Sequence, residues 1–204
     1  MTSATPRPHY PAPMAQLDSV GSVLLAAAGE LLASEGPAAL TVRRIATAAG
    51  VSTMNVYSRF GGKDGVVDCL FVEGFRQLGA CMSSVEPTDD PIADLAACGM
   101  GYRRFAIENP TLYSVMFDHV VPDYVPTVDA QQIAGATLQL LAGRLDRAMQ
   151  AGLLRHADPL QTAALVWATC HGVVSLESKP VESTPINWPE VYQQALSMIV
   201  KGLE

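Results

Sequence analysis

The sequence predicts an all-α protein, and three observations carry that expectation. Apolar residues recur at helical spacing through most of the chain, as at Val20, Val23, Leu24, Ala27, Leu31 and Leu32. Helix-boundary residues punctuate the pattern: Gly36-Pro37, Gly61-Gly62 and Gly152 follow periodic runs, while Pro91, Pro110 and Pro159 precede them. No run alternates apolar and polar residues with the period of two that a strand requires.

Taken in order, residues 1–17 hold four prolines and no periodic pattern, and they read as a disordered arm with no secretory signal. Ser19 is expected to cap a first helix that Gly36-Pro37 stops. Thr41 caps a short second helix, Val42–Ala49, with Ile45, Ala46 and Ala49 facing inward. Gly50 turns the chain, and Ser52 caps a third helix, Thr53–Phe60, which Gly61-Gly62 ends. A fourth helix runs from Lys63 to Met82. The polar stretch Ser83–Asp90 (SSVEPTDD) reads as a hinge between domains. Pro91 opens a helix to Glu108, and Pro110 opens a short one to Phe117. Residues 118–128 read as a loop. A seventh helix spans Asp129–Ala151. Asp158-Pro159 opens an eighth, which ends at Glu177. Residues 178–186 are loop, and Asn187 opens the last helix, to Gly202. The expected organisation is an arm (1–17), a head (18–65) and a helical body (66–204).

Charge is distributed unevenly. The 204 residues carry 13 basic and 20 acidic groups, a net charge of −7, which taken whole argues against nucleic acid as a partner. Residues 1–65, however, hold five basic and four acidic groups, and residues 41–63 hold four basic groups and no acid. A small basic head therefore sits on an acidic body. Only 16% of residues are charged and 49% are hydrophobic, against roughly 25% charged in an average soluble protein. A chain of this size with so much apolar material is expected to hide some of it in a partner interface or a pocket.

The four cysteines, Cys69, Cys81, Cys98 and Cys170, form no C-x-x-C pair and match no zinc spacing. They read as reduced, small apolar residues, with a redox-sensing pair as the alternative. The uncharged run 160–176 is 17 residues long and contains Gln161, Thr162, Thr169, Cys170 and His171, short and polar for a membrane span. A cytoplasmic protein without metal or cofactor is expected.

Two short helices joined at Gly50 make a helix-turn-helix. At 100° per residue, Val56 and Phe60 of the second of these point to the core. Met54, Asn55 and Ser58 point to solvent, with Tyr57 and Arg59 on the flanks. A face of small uncharged side chains admits close approach to a major groove, and its amide and hydroxyls can read base edges. The helix N-termini can donate to phosphate oxygens, and Lys63 adds a cation after the glycines.

The run Leu40–Leu70, LTVRRIATAAGVSTMNVYSRFGGKDGVVDCL, resembles the DNA-binding head of the tetracycline-repressor (TetR) family. It meets the pattern L-T-x-x-x-I-A-x-x-A-G-V-S, then x-x-x-x-Y-x-x-F and a lysine at a turn. The resemblance implies a dimeric repressor whose third helix reads a palindromic operator half-site. It assigns phosphate contacts to Thr41, Tyr57 and Lys63 and a base contact to Arg43. Thr53, Met54 and Asn55 fall where the family varies to choose its sequence. Arg44, Ser52, Ser58 and Arg59 complete the candidate DNA-binding set. Arg59 departs from the pattern, since many members carry histidine there. The plain alternative is that Tyr57 packs and Arg43 is merely solvated.

The C-terminal half is similar to one subgroup of that family. Trp167-Ala-Thr-Cys-His171-Gly172 matches W-x-x-x-H-G, and Pro110–Phe117 matches P-x-L-Y-x-x-M-F. Helix eight is apolar all round, with Trp167, Cys170, His171 and Val174 on one face and Leu165, Thr169, Gly172 and Leu176 on the other. Such a helix must be buried all round, so one face needs a second subunit or a monomer must cover both. Val191, Ala195, Met198 and Ile199 of the last helix would join it in a four-helix homodimer interface. Phe105, Tyr113, Met116, Phe117, Trp167 and His171 are the candidates to bind a mostly apolar small-molecule effector, with core packing as the alternative.

Enzyme chemistry finds no support. Cys170 and His171 point about 100° apart on one helix. Gly99-Met-Gly101 lacks the third glycine of a nucleotide loop and follows no strand, and no G-x-S-x-G, H-E-x-x-H or P-loop occurs. Two other readings stay open: a regulator that senses redox state through Cys170 or Cys98, and an interaction module whose head has lost DNA binding.

Overall fold

Asp18, rather than Ser19, caps the first helix. Its carboxylate accepts from the Gly21 N–H at 2.8 Å, so Ser19 becomes the first helical residue and α1 runs Ser19–Glu35. A cap must lie two or three residues before the N–H it satisfies, and here the aspartate is the one placed to reach it. The structure, a computed structural model, describes residues 17–84, 86–179 and 185–204. The expected arm, apart from Leu17, lies outside the described residues, as do Val85 and residues 180–184.

Among the described residues the chain is entirely helical, with no strand. After α1, Gly36 takes φ 77° and a single 3-10 turn follows, Pro37–Ala39. The remaining helices are α2 (Val42–Ala48), α3 (Thr53–Phe60), α4 (Lys63–Met82), α5 (Pro91–Glu108), α6 (Pro110–Phe117), α7 (Val128–Gln150), α8 (Pro159–Glu177) and α9 (Trp188–Leu203). In α5, α8 and α9 a proline stands in the first turn, where its missing N–H costs nothing. Asp90 and Asp158 cap α5 and α8 through their carboxylates.

The chain divides into two compact units. The first holds the residues up to Gly74 and Thr111–Ala130, and the second holds Phe75–Pro110 and Gln131–Glu204. α4 thus contributes Lys63–Gly74 to one and Phe75–Met82 to the other.

In the first unit, α1, α2 and α3 pack on one another around Leu24, Ala28, Ile45, Ala46, Val56 and Phe60, all essentially inaccessible to water. Ala49, expected to face inward, is only half-buried, because α2 ends at Ala48. Gly65 lies against the end of α3, and a β-carbon there would clash with the Phe60 carbonyl oxygen. Asp68 is buried and accepts three hydrogen bonds, from Tyr124 Oη at 2.7 Å, Thr127 N at 3.0 Å and Thr127 Oγ1 at 2.8 Å. This carboxylate ties the loop after α6 to α4. The cost of burying the charge is offset by the three donors. Burial and the adjoining carboxylate together push the Tyr124 phenol well above its ordinary range.

In the second unit, the stretch expected to be a hinge is pinned at Thr88. Buried Asp94 accepts from Thr88 N and Oγ1, both at 2.9 Å, and from Arg147 Nη1 at 2.6 Å. Arg147 also donates to the Thr88 carbonyl. Burial would raise the Asp94 carboxyl, but the bonds from Thr88 and Arg147 outweigh it and hold the group below the usual carboxylate range. Gly101 sits against the end of α4, where a β-carbon would clash with the Cys81 carbonyl oxygen. Arg103 grips Glu177 through two bonds, at 2.9 and 2.5 Å. Tyr192 is fully buried and donates to the Gly99 carbonyl at 2.7 Å.

Candidate nucleic-acid interface

The helix-turn-helix is set by side chains that close it from within. Thr41 Oγ1 accepts from Arg44 N at 3.3 Å and caps α2. Gly50 takes φ 68°, which an L side chain adopts only with strain. The Val51 N–H then returns to the Ala46 carbonyl at 3.0 Å. α3 buries Val56 and Phe60 and turns its other side to water, with Met54 at 70% and Tyr57 at 54% exposure. Thr53 and Ser58 are exposed beside them. Gly61, at φ 72°, ends the helix with its N–H on the Tyr57 carbonyl. α4 then begins at Lys63, whose ammonium stands 3.8 Å from Asp64.

The four cations of this region have different occupations. Arg43 is exposed and makes no hydrogen bond or ion pair with the described residues. Arg44 pairs with Glu35 at 2.5 Å in the open, where such a pair adds little stability. Arg59 is committed to partners within the head. Its Nε and Nη2 donate to the two Asp18 carboxylate oxygens at 2.8 and 2.6 Å, and its Nη1 donates to Asn55 Oδ1 at 2.9 Å. The bond from Arg59, with that from the Gly21 N–H, lowers the Asp18 carboxyl to about 2. Ser52 begins α3, but its hydroxyl accepts from Asn55 Nδ2 at 3.0 Å instead of capping the helix. Asp18 is a functional candidate that sequence reasoning passes over. Its capping bond to Gly21 is local, but the partner that gives it a further role lies 41 residues away.

The six effector candidates fall in two groups. Tyr113, Met116 and Phe117 belong to the first unit. Tyr113 and Met116 are buried, the Tyr113 and Phe117 rings stand 4.8 Å apart, and Met116 fills the space left by the missing side chain of Gly74. Phe105, Trp167 and His171 belong to the second unit. Phe105 is fully buried, whereas Trp167 is 37% exposed. His171 Nδ1 lies 3.0 Å from the hydroxyl of Tyr102, a residue the sequence does not single out. The Trp167 and His171 rings are 5.6 Å apart.

The residues expected at a dimer interface include the most exposed apolar groups of α8 and α9. Leu165 and Leu176 are each 59% exposed and Met198 73%. Thr169, Gly172, Val191, Ala195 and Ile199 are less open, and a β-carbon on Gly172 would meet nothing within 4 Å. The opposite side of α8, with Ala163, Val166, Cys170 and Val174, is buried in its own unit.

Three of the four thiols offer little to a redox sensor. Cys69, Cys98 and Cys170 are buried and form no disulfide. Burial pushes Cys69 to about 12 and Cys98 to about 11, and raises Cys170 as well, so the reactive thiolate is scarce near neutral pH. Among the described residues no group of three or more His, Cys, Asp or Glu could hold a metal ion, and no helix is long and apolar enough to cross a membrane.

Comparison with known proteins agrees with this geometry. Residues 24–69 match the family described as bacterial regulatory proteins of the tetR family. Residues 95–195 match the tetracyclin repressor-like C-terminal domain. No curated protein matches the chain. Among solved structures, a protein of unknown function from Rhodococcus sp. RHA1 is 26% identical, with a TM-score of 0.79 over 92% of this chain and 97% of its own. The TetR family regulator PfmR from Thermus thermophilus is 21% identical, with a TM-score of 0.67 over 89% of this chain and 98% of its own. The fatty acid degradation regulator FadR from Bacillus halodurans shares the fold at 17% identity, with a TM-score of 0.72 over 93% and 98% of the two chains. With a helix-turn-helix head and a helical C-terminal domain that both match, the chain belongs to the TetR family of transcriptional regulators.

Proposed function

We propose that this protein is a homodimeric, effector-responsive repressor that acts in the cytoplasm on a palindromic operator. The observation that carries the reading is the bare face of α3. Thr53, Met54, Tyr57 and Ser58 face water with no charge among them, while Arg43 is exposed on α2 and Lys63 follows the end of α3. Such a face suits close approach to base edges, with Thr41, Tyr57 and Lys63 on phosphates and Arg43 and Asn55 on bases. Residues 18–65 would form the DNA-binding domain and residues 66–204 the effector-binding and dimerisation domain.

The exposed leucines of α8 and Met198 of α9 support self-association, since a second copy would cover what one chain leaves wet. We assign the effector to the second unit, beside Trp167 and His171. A ring at the surface and a polar pair beneath it suit a mostly apolar molecule with one hydrogen-bonding group. The Trp167-to-Gly172 run supports reading this half as one of the W-x-x-x-H-G subgroup. Release from DNA requires that effector and operator oppose one another equally in both directions.

The test is selection of bound sequences from a randomised duplex pool at near-physiological salt. A recovered palindrome is expected, followed by loss of binding when an effector is found. Folded, dimeric protein that recovers no sequence would sink the reading. An effector that binds free and operator-bound protein equally would sink its regulatory half.

A further inference from the structure

Arg59 stands where the family pattern is not met, and its guanidinium is paired with Asp18 at the start of α1. We propose that Asp18, acting through Arg59, orients the Asn55 amide on α3 and so determines the base preferred at one position of the half-site. This rests on the reading of α3 as the helix that enters the major groove.

The chemistry of the chain of bonds fixes its direction. A side-chain amide can present either its oxygen or its nitrogen to a neighbour. Arginine has five donors and no acceptor, so the Asn55 atom 2.9 Å from Arg59 Nη1 must be the oxygen. The nitrogen then faces Ser52 Oγ at 3.0 Å. Arg59 is not at liberty to turn, because Nε and Nη2 both rest on Asp18, at 2.8 and 2.6 Å, in the two-point geometry that a lysine cannot reproduce. Asp18 is held in its own place by the Gly21 N–H at 2.8 Å. The N-terminus of α1 thereby sets a side chain on α3.

Two bonds leave Asn55 with one N–H and one oxygen lone pair uncommitted. That is the complement of adenine in the major groove, which offers an acceptor at N7 and a donor at N6, whereas guanine offers two acceptors there. An amide locked in one orientation reads that pair without first losing side-chain freedom. Asp18 is a positioning residue, since it reaches the base only through Arg59.

The experiment uses the full-length protein and its variants in selection from a randomised duplex pool, with the salt dependence of binding measured alongside. Asn55→Ala identifies the position by losing its preference there. Asp18→Asn keeps an oxygen to cap α1 but cannot accept both prongs of the guanidinium. It is expected to lower the preference for adenine at that same position by about fivefold or more, the low end of what one good base contact confers. The other positions and the salt slope should stay as in the wild type, and the double variant should match Asn55→Ala alone at that position. A purely structural role for Asp18 would spread the loss evenly over the motif, and that result overturns the proposal. So does an unchanged preference. Should Asp18→Asn fail to fold, Arg59→Lys, which keeps the charge without the two-point grip, must give the same position-specific loss. A wild-type pool with no motif defeats the reading of α3 as well; a clear wild-type motif that Asp18→Asn leaves intact defeats this inference alone.

Discussion

Among the described residues, the outward surface of α3 and that of α8 and α9 are unlike. α3 exposes Thr53, Met54, Tyr57 and Ser58, with hydroxyls among them and cations at the edge. α8 and α9 expose Leu165, Leu176 and Met198. The first surface mixes hydroxyls with the apolar Met54 and the Tyr57 ring, and its hydrated groups can exchange their water for that of a groove. The second gains only by leaving water. Both are faces that their own unit does not need for its core. The difference in what they carry separates a hydrated, charged partner from an apolar one.

Tests that strike one surface and spare the other sharpen the contrast. The largest effect is expected from Gly65→Ala, where the new β-carbon meets backbone at the Phe60 carbonyl. Overpacking of this kind costs about 1–3 kcal/mol, and rigid backbone on one side puts it at the upper end or beyond. The head should lose its melting transition and DNA binding while sedimentation still shows a dimer. Next in size, Leu165→Glu combined with Leu176→Glu should convert the dimer to monomer. Each leucine moved into an interface is worth about 1.5–3 kcal/mol, so self-association should weaken at least about a hundredfold. A dimer that survives this pair of changes would place the interface elsewhere.

Smaller effects belong to α3 and its edge. Tyr57→Ala and Lys63→Ala should weaken binding to all sequences alike, and Lys63→Ala should reduce the salt slope by about one. A change in sequence preference instead would mean that these residues face bases. The smallest effect is on acid stability. The Asp18 carboxyl is held at about 2 against an ordinary 3.8, and the Asp94 carboxyl is also held low. Groups depressed in the folded state stabilise it fully above their unfolded values, and the contribution is lost as pH falls through the folded values. The melting temperature should hold between about pH 7 and 5 and decline below about 4. Asp18→Asn should remove part of that decline.

Much of this is legible in the chain itself. Helix starts at Pro91, Pro110 and Pro159 and stops at Gly36 and Gly61 depend on local backbone chemistry, and they fall where the residues put them. The inward face of α3 follows from spacing alone, as Val56 and Phe60 show. Spacing misplaces the cap of α1 by one residue, because Asp18 and Ser19 are equivalent until the reach to Gly21 is known. The stretch 83–90 reads as a hinge because its residues are polar. Asp94, six residues beyond Thr88, and Arg147, 59 residues beyond it, together hold it.

The helical class, the helix-turn-helix and the polar character of the outward face of α3 were written in the order of residues, because each depends on groups within a few turns of one another. The occupations of the charged groups were not, and they came with folding. Arg59 finds Asp18, Asp68 finds Tyr124 and Thr127, and Asp94 finds Arg147 across 41 to 59 residues of chain. An ionised side chain takes whichever partner folding brings within hydrogen-bond reach, and periodicity carries no record of that partner.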